Sequence, residues 1–285
     1  MRTDAKPAVE GFDERWTAFH GSPVRYLAGG AGPPLALVHG LGGSSANWAE
    51  LAAVLARSRR VLALDLPGHG RSAPLPAAPT LAPFAGAVAA VLAQEEAAPA
   101  PVVGHSLGGI VALRLALRHP DAVSGVVVAS GAGISSGTAH ARRALMIIGL
   151  LKPGRRVARA RGTIGRSELL KTLAFSSWFT SDARALSSQS VEGFLVGHLH
   201  HSDIGSAWRA LVRDDPRPEL HGVRCPALVL WGAGDRQLPL DDAFDYARRL
   251  RAPLRVIPDC GHLLIGERPD ACLDAIESFL DAHHL

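Results

Sequence analysis

Gly104-His105-Ser106-Leu107-Gly108 spells G-x-S-x-G, and its flanks restrict what this chain can build. The apolar run Pro101-Val102-Val103 precedes it, and Ile110, Val111, Leu113, Leu115 and Leu117 follow at helical spacing. That order predicts a buried strand, a sharp turn and a helix. A serine at such a turn sits in a strained backbone conformation that lifts its hydroxyl clear of the sheet, and glycine on either side lets neighbouring main chain pass close by. The amino end of the helix points at the serine. Ser106 is therefore the candidate nucleophile. Among 30 glycines the pentapeptide alone is a weak signal, and its strand-and-helix setting is what gives it weight.

An alcohol is a poor nucleophile at neutral pH, so Ser106 needs a base to take its proton and an acid to hold that base in the right tautomer. Ala227-Leu228-Val229-Leu230-Trp231 reads as a buried strand that runs into Gly232-Ala233-Gly234-Asp235-Arg236, a turn presenting Asp235. Leu254-Arg255-Val256-Ile257 reads as the next strand, followed by Pro258-Asp259-Cys260-Gly261-His262. Serine, acid and histidine each fall at the carboxyl end of a predicted parallel strand, where open α/β sheets build their sites. The strand ending at Val126–Gly133 offers no carboxylate, which strengthens Asp235 as the acid.

Three more stretches extend the pattern. Leu35-Ala36-Leu37-Val38-His39-Gly40-Leu41-Gly42-Gly43 contains H-G-x-G after a strand; Val61-Leu62-Ala63-Leu64-Asp65-Leu66-Pro67-Gly68-His69-Gly70-Arg71-Ser72 contains D-x-x-G-x-G-x-S after the next; and Gly261-His262 is followed by Glu267-Arg268-Pro269. Taken in order with the serine turn, these motifs resemble the α/β-hydrolase superfamily over nearly the whole chain except its middle. The resemblance implies an α/β fold: a mostly parallel eight-stranded sheet with helices on both faces and a helical cap insertion. Residues 1–133 and 220–285 would form the core and 134–219 the cap. It also implies acyl transfer through a covalent intermediate on Ser106, with His262 as base, Asp235 as its partner, and the backbone N–H groups of Leu41 and Leu107 as oxyanion donors. One such donor is worth about 3 kcal/mol of transition-state stabilisation.

The expected activity is hydrolysis of a carboxylic ester, or a related acyl bond, of a small to medium apolar molecule. Two alternatives stand beside it. A carbon–carbon bond hydrolase of the ring-cleavage type uses the same three residues, although its pattern usually has Asn where His105 stands; a hydrolase-like ligand receptor keeps them without needing catalysis. Dehalogenases and epoxide hydrolases on this fold need Asp as nucleophile, whereas perhydrolase activity is compatible with the serine. No cofactor is expected: Gly29-Gly30-Ala31-Gly32 lacks the Lys-Ser/Thr ending of a phosphate loop and runs into Pro33-Pro34, which reads as a turn.

The remaining candidates have structural readings. His39 and His69 are expected to brace loops, Asp65 to hold a turn, and His105 to pack beneath the serine. His198, His200 and His201 suggest a metal, but no Cys or acidic cluster completes a ligand set, so they are assigned to a solvated cap surface and no metal is expected. His283-His284 reads as a frayed end. Cys225, Cys260 and Cys272 show neither zinc nor redox spacing, and Met1–Glu10 mixes charges without an apolar segment; a cytoplasmic protein with reduced thiols is expected.

Of 285 residues 47% are hydrophobic, enough for one large α/β domain with an insertion, and the net charge is +4. The positive excess gathers at Arg142, Arg143, Lys152, Arg155, Arg156, Arg159, Arg161 and Arg166, with no acidic residue from His140 to Arg166. A solvated helix face is the first reading, and weak contact of 142–166 with an anionic substrate or lipid surface is the second. No nucleic-acid motif accompanies the charge. Ala144–Leu151 is apolar enough to roof a pocket, and Phe175, Trp178, Phe179, Phe194 and Trp208 add aromatic surface. Oligomeric state is not encoded in any of these patterns.

Overall fold

The computed structural model describes residues 9–76, 80–133 and 154–285. Among them eight strands form one sheet: β1 (Phe12–Phe19), β2 (Ser22–Gly29), β3 (Pro34–Val38), β4 (Arg60–Leu64), β5 (Ala100–His105), β6 (Val123–Ala129), β7 (Ala227–Gly232) and β8 (Leu254–Ile257). Their order across the sheet is β1-β2-β4-β3-β5-β6-β7-β8. β2 runs antiparallel to both its neighbours, β1 and β4; every pairing from β4 to β8 is parallel. The chain thus has the mostly parallel sheet expected of it.

Side chains along a strand alternate between the two faces, so near-continuous apolar runs require cover on both. On one face Ala36, Val38, Val102, Val126 and Val229 pack against α2 (Ala82–Gln94), α3 (Leu107–Arg118) and α9 (Leu240–Leu250). Leu35, Leu37, Val103, Val127 and Leu228 turn to the other face, against α1 (Ala49–Leu55) and α10 (Pro269–Ala282). Each large aliphatic side chain so buried contributes about 1.5–3 kcal/mol of transfer free energy.

Between β6 and β7 the chain leaves the sheet for α4 (Gly154–Arg159), α5 (Arg161–Gly165), α6 (Glu168–Phe179), α7 (Ser188–Val196) and α8 (Ile204–Arg213). Glycines allow this excursion to approach the loops at the strand ends: a Cβ on Gly193 would meet Ala46 O at 2.3 Å, and one on Gly261 would meet Thr180 Cα at 2.6 Å. Residues 142–153, which contain Arg142, Arg143, Lys152 and the apolar Ala144–Leu151 segment, lie outside the described residues. The carboxyl end is held rather than frayed. The N–H of Leu285 donates to Leu280 O at 2.9 Å, and the His283 ring packs edge-on against Phe279, 5.0 Å between centroids, because the last helical turn leaves carbonyls free to accept.

Candidate active site

Ser106 occupies the turn between β5 and α3 with φ 54° and ψ −115°, a conformation that costs an L-residue on the order of 1–3 kcal/mol. Two contacts explain why the flanking residues are glycine. A Cβ on Gly104 would lie 2.2 Å from Gly108 O, and one on Gly108 would lie 2.1 Å from Val38 O. Hydrogen bonds hold the turn: Ser106 N donates to Ala129 O at 2.9 Å, and Ala132 N donates to Ser106 O at 3.0 Å.

Three residues remote in sequence meet here. His262 Nε2 lies 3.1 Å from Ser106 Oγ, and its Nδ1 lies 2.8 Å from Asp235 Oδ2. The other carboxylate oxygen, Oδ1, accepts from Gln237 N and Leu238 N, each at 2.9 Å. Burial pushes the Asp235 carboxyl up, but facing His262 and accepting those two N–H bonds outweigh it and hold the group below the usual carboxylate value. An ionised, fully hydrogen-bonded carboxylate therefore orients an imidazole toward a hydroxyl. Leu107 opens α3, whose first N–H groups have no intrahelical partner, and Leu41 lines the same cavity as Ser106 and Leu107.

The loops around this chain of hydrogen bonds are braced by buried polar groups. The Nε2 of His39 accepts from Leu66 N at 2.9 Å and its Nδ1 donates to Gly40 O at 2.7 Å, joining the loops after β3 and β4. Asp65 accepts from Ser45 N, Arg71 N and the Arg25 guanidinium, which makes it a turn holder. His69 Nδ1 lies 3.0 Å from Pro67 O. Glu267 was visible in the sequence only as part of a motif and carried no expected role. Its two carboxylate oxygens accept from Gly261 N and Asp182 N, each at 2.7 Å, so one buried side chain ties the histidine loop to the excursion between β6 and β7. A carboxylate five residues beyond a candidate base is the signal that marks it.

Above Ser106 lies a cavity of about 890 Å³ walled by Leu41, Phe175, Trp178, Phe194, Leu195 and Trp208, with Gln237 among its few polar groups. His198 corrects a sequence expectation: it is half-buried and lines this cavity, and burial pushes its imidazole below the ordinary value. Gly197–Leu199 forms a short 3-10 turn, and His201–Ser202 pairs with His69–Gly70 as a two-residue ribbon. That ribbon, formed with a loop over a hundred positions earlier, turns His198 inward and leaves His200 and His201 exposed.

A family model for the alpha/beta hydrolase fold matches residues 33–269, a stretch that includes Ser106, Asp235 and His262. The chain belongs to the α/β-hydrolase fold family. The chain is 31% identical, over 263 residues, to the dihydrolipoyllysine-residue acetyltransferase component of the acetoin cleaving system of Pseudomonas putida. The match covers 90% of this chain and 66% of that relative, so the chain spans just under two thirds of the component's length. It is 31% identical over 258 residues to the pimeloyl-[acyl-carrier protein] methyl ester esterase of Aromatoleum aromaticum, covering 86% of this chain and 97% of the esterase. The crystal structure of a hydrolase from Pseudomonas aeruginosa PA01 matches this chain with a TM-score of 0.77 at 28% identity, covering 94% and 98% of the two chains. Among the described residues no helix is long and apolar enough to cross a membrane.

Proposed function

We propose that this hydrolase cleaves a carboxylic ester, or a related acyl bond, of a small to medium apolar substrate through an acyl-enzyme on Ser106. The observation that carries this reading is the unbroken chain Asp235–His262–Ser106, at 2.8 and 3.1 Å, opening into an apolar cavity. The esterase named among its relatives supports the same bond type. The reading includes residues 134–219 as a cap that supplies most of the pocket wall, and a cytoplasmic setting supported by Cys225, Cys260 and Cys272 being free thiols.

In this mechanism His262 Nε2 takes the proton as Ser106 Oγ attacks the acyl carbon, and Asp235 stabilises the imidazolium. The N–H groups of Leu41 and Leu107 receive the oxyanion. Collapse of the tetrahedral species passes the proton from His262 to the departing alkoxide and leaves the acyl group on Ser106. Water enters, gives its proton to His262 and attacks the acyl carbon; the second collapse returns the proton to Ser106 and frees the carboxylic acid.

The test is fluorophosphonate labelling of wild type and Ser106→Ala, run beside a series of p-nitrophenyl esters of increasing chain length. Labelling and turnover confined to the wild type are expected, with medium chains preferred. A folded wild type that neither labels nor turns over any ester would overturn the proposal.

A further inference from the structure

We propose that Arg155 and His200 form a subsite for an anionic group, a carboxylate or a phosphate, carried on the substrate that enters the Ser106 cavity. This rests on the cavity being the acyl-binding site.

A second hollow of about 390 Å³ is lined by Trp16, Arg71, Arg155, His200 and His201, and Arg155 and His200 also line the main cavity. The two spaces therefore share a boundary made of one guanidinium and one imidazole. No Asp or Glu among the described residues lines either space. Elsewhere the cavity wall is mostly apolar, and Arg155 is the one arginine or lysine among the described residues that line it, so this boundary is where a substrate's negative charge meets a positive one while its hydrocarbon part reaches Ser106.

The charges around this boundary are unequal. Arg71 is engaged by Glu14 and lies over the Trp16 ring, 5.7 Å from its centroid. Glu14 is shared with Arg25, which also pairs with Asp65, so these two arginines and two carboxylates offset one another. Arg155 has no carboxylate partner among the described residues, and the sequence from His140 to Arg166 contains none to supply one. An exposed guanidinium without a carboxylate partner among the described residues, at the edge of an apolar cavity, offers a planar fork to an oxyanion, and the low-dielectric wall beside it focuses its field. Partial desolvation beside the cavity mouth and the nearby Arg71 hold the exposed His200 below the ordinary imidazole value, so at neutral pH it is an uncharged hydrogen-bond donor and the charge at the boundary is that of Arg155.

Binding is tested first without turnover, by calorimetry on Ser106→Ala with monoalkyl amides of dicarboxylic acids against neutral alkyl amides of equal length. The carboxylated ligand is expected to bind more tightly, with the preference falling about tenfold in Ser106→Ala/Arg155→Gln and shrinking as salt is raised. Arg155→Lys should restore part of it, since it returns the charge without the fork. Equal affinity for the two ligands, or a preference that Arg155→Gln leaves intact, would overturn the subsite. So would a finding that Arg155→Gln changes only attachment to phosphatidylserine vesicles, which would assign the arginine to a lipid surface. The ratio of kcat/KM for ω-carboxylated over ω-methyl p-nitrophenyl esters should follow the binding preference. Anion-selective binding with no ester turnover in wild type would sink the hydrolytic reading while leaving the subsite standing.

Discussion

His105 Nε2 lies 2.8 Å from the main-chain carbonyl oxygen of His262. A side chain of the serine turn thus holds the backbone of the histidine loop, and the two rings lie 5.0 Å apart. Burial, then the proximity of His262, pushes the His105 imidazole down to about 3, so the ring is neutral at working pH and its Nε2 proton is committed to that carbonyl. Its buried Nδ1 has no partner among the described residues.

Replacing His105 by Leu should therefore act on geometry rather than on chemistry. An unsatisfied buried carbonyl costs about 1–3 kcal/mol, and a shift of the His262 ring should lower kcat about tenfold. Urea unfolding and single-turnover acylation would measure the two effects. Full activity in His105→Leu would show that the bond does not position His262.

Asp235→Asn should lower kcat about 10⁴-fold with little change in KM, because an amide favours the wrong His262 tautomer. The retained oxygen still accepts from Leu238 N and Gln237 N, so the fold should survive. Steady-state kinetics on a p-nitrophenyl ester, with a thermal melt as control, decides it; a loss below tenfold would remove Asp235 from the mechanism.

Acid should destabilise the protein early. His39, His69 and His105 are buried, and burial depresses all three, His69 to about 4 and His105 to about 3 against an ordinary 6.5. The folded chain keeps these rings neutral, whereas the unfolded chain binds protons below about pH 6.5. Stability is therefore complete above that value and is lost as pH falls from about 6.5 toward 4. A drop in Tm of about 10 °C between pH 7 and pH 5 is expected, with a shallower dependence in His69→Gln. A flat profile would contradict it.

Glu267→Ala leaves the Gly261 and Asp182 N–H groups without an acceptor and should cost about 2–4 kcal/mol, seen as a lower urea midpoint at constant slope. Glu267→Gln keeps one oxygen and should cost about half as much. Both should reduce kcat, since Gly261 adjoins His262.

The eight-strand sheet was legible because its strands are apolar runs closed by glycine turns, and the serine turn because Gly104 and Gly108 flank Ser106 where no Cβ fits. The meeting of Ser106, Asp235 and His262 was legible from their common position at the ends of parallel strands. His198 was misread as surface because its orientation depends on the pairing of His201–Ser202 with His69–Gly70, a contact between segments that share no local pattern. Glu267 went without a role for the same reason: its carboxylate faces Gly261 nearby and Asp182 far upstream.

Local backbone preference and hydrophobic period act over a few residues, and so the sequence by itself determined the strands, the strained serine turn and the order of the three polar residues. Which side chains wall the cavity, where His198 points, and the placing of Arg155 and His200 at its boundary were decided only in the tertiary structure. Those features depend on the angles at which α4–α8 pack over the strand ends, and spacing along a chain carries no record of packing angles.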